Sequence, residues 1–128
     1  MRESHAGGAY NRKVKGAAAE AAAALYLASR GYTIVEANWR CRSGELDLVA
    51  EYQGTLVFIE VRSRSGSPLP GTPEESVDAR KVRQVRSTAE VYLHMKGEQE
   101  RAVSFDVISV QLNPDLSIAA LRHIREAF

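Results

Sequence analysis

The sequence predicts an α/β domain built in layers, with a central mixed β-sheet flanked by helices. An alanine-rich helical stretch leads into two segments, Gly44–Ala50 and Val57–Arg62, that alternate apolar and polar residues with the period of a half-buried strand. A second helical pattern then separates these strands from later strand-like runs. Antiparallel neighbours followed by a helix and another strand permit one parallel crossover, hence a mixed sheet.

The 128 residues, 45% hydrophobic and 26% charged, suit one ordinary globular core. No apolar run approaches the roughly 18 residues of a spanning helix. Met1 to Val14 has no apolar centre of the signal-peptide kind. A single cysteine, Cys41, excludes an internal disulfide framework and a cysteine-rich zinc site. A cytoplasmic protein without a membrane segment is expected. Residues 1–12, with Gly7-Gly8 and no apolar periodicity, read as a frayed leader, and residues 13–128 as the domain.

From about Val14 to Arg30 alanine dominates, which favours helix, and Gly31 suits its C-terminal cap. Helical spacing sets Glu20 beside Gly16, Ala24 and Leu27 on the inward face, where a lone carboxylate needs a cation, hydrogen bonds or a raised pKa. Tyr32–Val35 is rich in strand formers, and residues 36–39 continue or close that strand. In the next two segments Leu46, Leu48 and Ala50 share one face, as do Val57, Ile59 and Val61.

Gln53-Gly54 marks a two-residue hairpin turn between them. The resulting ladder sets Val49 against Phe58, Asp47 against Glu60, and Glu45 against Arg62. Like charges facing across a sheet repel, so a divalent cation between Asp47 and Glu60 is a natural resolution. Carboxylate oxygens suit Mg²⁺ or Mn²⁺, ions that retain waters and phosphate oxygens. Arg62, two residues beyond Glu60, lies beside the acids as a clamp for developing charge or as a partner for Glu45.

Ser65 to Pro73 is loop by composition. A second helix is expected from about Pro73–Ser76 to Met95, with Thr72 as N-cap, Pro73 in the first helical position, and Val82, Val85, Ala89, Tyr92 and Leu93 as its stripe. Lys81 borders that stripe and can reach over the core edge. Strands are expected at Ala102–Val110 and Leu116–Leu121. Arg40, Arg42, Arg64 and Lys81 surround the acidic strands and are the candidates for nucleic-acid contact. Trp39 and Cys41 read as packing residues, Asp106 and His123 as structural ones.

Asp47 followed by Glu60-Val61-Arg62 resembles the PD-(D/E)xK core of restriction-endonuclease-like nucleases. More narrowly, Glu20 with Ala23, Gly44–Ala50, Phe58–Arg64, Lys81, Phe105-Asp106-Val107 and His123–Phe128 resemble the bacterial YraN-like family, from about Lys13 onward. The resemblance implies a restriction-endonuclease-like three-layer domain, kinship with archaeal Holliday-junction resolvases, and a nuclease activity on branched or structured DNA. It matches Asp47 and Glu60 to the metal-binding acids and Glu20 to the acid of the first helix. The carbonyl of Val61 becomes a further ligand candidate, and the dimeric junction-binding relatives make a homodimer an expectation. Arg62 stands where the wider pattern has lysine, and arginine stays protonated, so it cannot act as a general base. Ser104 stands where the family often has arginine. A non-catalytic nucleic-acid-binding module that keeps the fold is the alternative, and a protein-binding scaffold the third.

Overall fold

The chain runs α1 (Gly7–Ser29), β1 (Thr33–Cys41), β2 (Gly44–Tyr52), β3 (Thr55–Ser65), α2 (Ala79–Lys96), β4 (Val103–Leu112) and β5 (Ile118–Ile124). These elements come from a computed structural model that describes residues 7–65 and 77–128, with side chains from Arg12 onward. The five strands lie in the order β1-β2-β3-β4-β5, and β3–β4 is the parallel pair, joined across the crossover by α2. The sheet is therefore mixed. Among the described residues no helix is long and apolar enough to cross a membrane.

Each boundary has a local cause. Ala19, Ala23 and Leu27, spaced four apart, form the buried stripe of α1. Gly31 takes a positive φ of 93°, and Tyr32 N–H returns to the Leu27 carbonyl at 3.0 Å, ending the helix. Gln53 and Gly54 both have positive φ, 50° and 84°, the requirement of a type I′ hairpin turn between Tyr52 and Thr55. At the other end of β2, Gly44 has φ 150° and lies so close to α2 that a Cβ there would stand 2.9 Å from Thr88 Oγ1.

Several boundaries differ from those expected. Helix α1 begins at Gly7 rather than Val14, so residues 7–12 are helical rather than frayed; extending an existing helix adds one hydrogen bond for each residue ordered. Helix α2 begins at Ala79, capped by Asp78, whose Oδ1 accepts the Lys81 N–H at 2.9 Å. The expected cap Thr72, with Pro73, lies outside the described residues. The last two strands run to Leu112 and Ile124, beyond the ends expected. There the β4–β5 ladder keeps pairing down to Val107↔Ile124.

The core has two parts, one on each face of the sheet. Ala19, Ala23 and Leu27 of α1 pack with Leu48, Ala50, Val57 and Ile59. Val85, Ala89 and Tyr92 of α2 pack with Leu46, Val49, Phe58 and Phe105. Tyr92 meets Trp39 and Phe58 edge-on, at ring-centroid distances of 5.1 and 5.9 Å. Helix, sheet and helix thus form the three-layer α/β arrangement expected, consistent with a restriction-endonuclease-like domain.

Leu46 departs from its expected place: it joins the α2-side cluster, whereas Leu48 joins the α1-side one. The alternation breaks across Asp47. Opposite that break, between the pairs Ala37↔Leu48 and Trp39↔Leu46, Asn38 adopts φ 55°, a left-handed kink that asparagine tolerates better than most residues.

Asp106, 1% exposed, ties the far side of the sheet together. It accepts from Ser104 Oγ and from the Glu126 N–H, each at 3.0 Å, and its Oδ2 lies 2.7 Å from His123 Nε2. The other ring nitrogen of His123 is 3.2 Å from the Tyr26 hydroxyl. Asp106 and His123 therefore anchor the C-terminal segment, and Ser104 contributes directly to that anchor.

Replacing Gly44 tests the approach of the β1–β2 turn to α2. Gly44→Ala combines a disfavoured φ with the Thr88 clash and should cost about 2 kcal/mol of stability. The measurement is a urea titration, with the midpoint lowered and the m-value unchanged.

Candidate metal centre

Pairing between β2 and β3 runs from Tyr52↔Thr55 to Leu48↔Ile59, with Val49 against Phe58 as expected. One step further along, Asp47 and Glu60 do not simply face each other. The Val61 N–H donates to Asp47 Oδ2 at 2.9 Å, turning that carboxylate onto the β3 backbone. Glu60 is 2% exposed, and the two carboxyl groups are joined by a hydrogen bond. From α2, Lys81 Nζ stands 3.7 Å from Glu60 Oε1.

Burial is the largest effect on both acids. It pushes Glu60 up to about 8, helped by the negative charge of Asp47 and opposed by Lys81 and Arg62. Asp47 is also raised, first by burial, while the Val61 N–H and Lys81 hold it down. At neutral pH the pair thus keeps a proton, which Glu60 donates to Asp47. Two carboxyl groups buried side by side retain a proton because burial and mutual repulsion disfavour the doubly charged pair. Carboxylate oxygens are the donor type that Mg²⁺ or Mn²⁺ takes.

Glu20 approaches from the other layer. Its carboxyl is raised by burial first and then by the charge of Asp47, against a stabilising hydrogen bond with Asn38. The kink at Asn38 and the broken alternation at Asp47 explain how one acid meets groups from both faces of the sheet. Among the described residues, however, no group of three or more His, Cys, Asp or Glu side chains is arranged to hold a metal ion. Asp47 and Glu60 form the close pair; Glu20 lies within electrostatic reach of Asp47.

The basic candidates divide. Lys81 sits at the pair. Arg62 acts on Glu60 and borders a cavity of about 230 Å³ shared with Asp78, Arg80, Lys81 and Gln84. The alternative pairing of Arg62 with Glu45 does not form among the described residues; Glu45 pairs instead with Arg40 Nε at 3.4 Å. That exchange follows from the β1–β2 ladder, which sets Arg40 directly against Glu45. Arg64 lines a second cavity, on the α1 side, while Arg42 is exposed in the β1–β2 turn away from both. Asn38 and the Val61 N–H were missing from the sequence-based set. A lone asparagine within a run of strand formers was the available signal for the first; a backbone donor leaves none.

Comparison with known proteins gives a concordant result. The profile of the uncharacterised protein family UPF0102 matches residues 19–110, a span that includes Glu20, Asp47, Glu60, Arg62 and Lys81. A UPF0102 protein of Moorella thermoacetica is 45% identical, covering 91% of this chain and 97% of its own length. UPF0102 proteins of Caldanaerobacter subterraneus subsp. tengcongensis and Desulforamulus reducens are 39% and 44% identical, covering 92% and 91% of this chain and 97% and 96% of their own lengths.

The retained proton makes stability depend on pH. Between the ordinary glutamate value of 4.5 and about 8, the unfolded chain ionises Glu60 while the folded one keeps it neutral. The folded state then binds more protons, so stability falls as pH rises through that window. Glu60→Gln keeps the donor without the charge and should flatten the fall, raising Tm at the alkaline end by about 5 °C over the parent. Parallel melting curves of the two proteins across the window check this; identical pH profiles would exclude the shared proton.

Proposed function

The chain belongs to the YraN-like family UPF0102, and we propose that it is a divalent-metal-dependent nuclease hydrolysing phosphodiester bonds in DNA. The single observation that carries the reading is the buried Asp47–Glu60 pair, which keeps a proton where a cation would satisfy both carboxylates. Asp47 and Glu60 would hold Mg²⁺ or Mn²⁺, with the Val61 carbonyl as a further ligand and Glu20 reaching the same site from α1. When bound, the metal ion lowers the pKa of a water and neutralises charge on a phosphoryl oxygen.

The remaining residues have separable tasks. The Val61 N–H fixes one oxygen of Asp47 and so sets the orientation of its carboxylate. Lys81 supplies, beside Glu60, an ammonium group that the Arg62 position lacks. Arg62 stays protonated and contributes charge and fixed hydrogen-bond donors for phosphate oxygens. Kinship with junction-resolving enzymes favours branched or otherwise structured DNA as the substrate.

Arginine in the place of lysine favours a second reading, a nucleic-acid-binding module that has lost cleavage. The two part company in one assay. Purified protein is incubated with junction, flap, single-stranded and duplex DNA in Mn²⁺, in Mg²⁺ and in EDTA. A nuclease cuts only with metal, and Asp47→Ala and Glu60→Ala should each lower the rate by about two orders of magnitude or more. A binding module shows salt-sensitive binding and no cut under any metal. Cleavage that persists unchanged in both variants would remove the proposed site.

A further inference from the structure

On the opposite side of Val61 from Lys81, the N-terminal half of α1 and the end of β3 enclose a cavity of about 410 Å³. Among the described residues its polar lining is Arg12, Lys15, Arg62, Arg64, Ser63 and Ser65, with no acidic side chain. Lys15 Nζ donates to Ser65 Oγ at 3.0 Å, which holds the ammonium against the strand. Among the described residues none of Arg12, Lys15 or Arg64 takes part in an ion pair. Arg12 and Lys15, neither in an ion pair among the described residues, bring two cations to one concavity, and an anion relieves their repulsion.

The position of the cavity says which anion. Arg62 borders both this cavity and the one containing Lys81, so the two meet beside the residue that follows Glu60 by two. Arg62 and Arg64 repeat along β3 at about 6.6 Å, on the scale of successive phosphates in a nucleic-acid strand. The volume falls within the range of small-ligand sites, about 300–1,000 Å³, enough for a phosphodiester and its sugar.

We propose that the α1–β3 cavity is a phosphodiester-binding subsite that holds the phosphate adjacent to the scissile one, with Arg12 and Lys15 as its defining cations. This rests on the nuclease reading of the neighbouring acids and extends it by naming where the substrate strand leaves the site. Neither Arg12 nor Lys15 touches the metal-binding pair; both act on binding.

The test is fluorescence anisotropy of a short labelled single-stranded DNA, titrated over a range of salt in EDTA. Arg12→Gln/Lys15→Gln should weaken binding about tenfold and make the salt dependence shallower by about 1.4 in log–log slope. Ser65→Asp, which puts a carboxylate beside Lys15, should weaken it independently. Arg30→Ala removes a cation in the turn just beyond the C-terminal end of α1, about 22 Å from Lys15, and should leave affinity unchanged, with circular dichroism melts confirming that each variant folds. The subsite is overturned by unchanged affinity and slope in the first two variants. It is likewise overturned by no binding to the parent at low salt, or by a deoxynucleoside monophosphate that binds as tightly as the strand. Weakened binding without cleavage under any metal would keep the subsite and reject the nuclease. Metal-dependent cleavage with unaltered binding would do the reverse.

Discussion

Two carboxyl groups, Asp47 and Glu60, are buried against each other, and much of the architecture around them serves to make that tolerable. An ionised carboxylate in an apolar interior is costly unless paired or hydrogen-bonded. Here the relief comes in three parts: the Val61 N–H, the ammonium of Lys81 at 3.7 Å, and a retained proton. Well-packed apolar residues would serve stability better at these positions, and that cost is what the proposed metal-binding role accounts for.

The site also depends on a local failure of sheet regularity. A strand with unbroken alternation would present Asp47 to one layer alone. Asn38, in the left-handed region at φ 55°, stands opposite the point where Leu46 and Leu48 part to different core clusters. At that point groups from α1, β3 and α2 can act on one carboxylate. The Glu20–Asn38 hydrogen bond couples this kink to the outer acid.

Much of this was legible in the residues. Period-two patterning with the Gln53-Gly54 turn sufficed to pair Val49 with Phe58 and to bring the acids onto neighbouring strands, because a tight turn leaves register little freedom. Lys81 was placed correctly by helical spacing relative to Val85 and Ala89. What escaped was whatever depends on non-local geometry. Nothing in the order of residues shows that Arg40 reaches Glu45 before Arg62 can, or that a backbone amide takes one oxygen of Asp47. Asp78 was passed over as a cap because Thr72-Pro73 carries a stronger local signal, and propensity alone does not arbitrate between two competent caps.

The parallel β3–β4 pairing has a consequence for the order of assembly. Strands β1, β2 and β3 are joined by two-residue turns, so their contacts are short in sequence. Lys81 can take its place only with the crossover that carries α2 over the sheet, and non-local contacts of that kind form at greater entropic cost. Topology thus brings the acids together through local pairing and brings their counter-charge through a distant one. During synthesis the hairpin leaves the ribosome first with its acids still in water, and their full burial and the Lys81 ammonium arrive together when the helix follows.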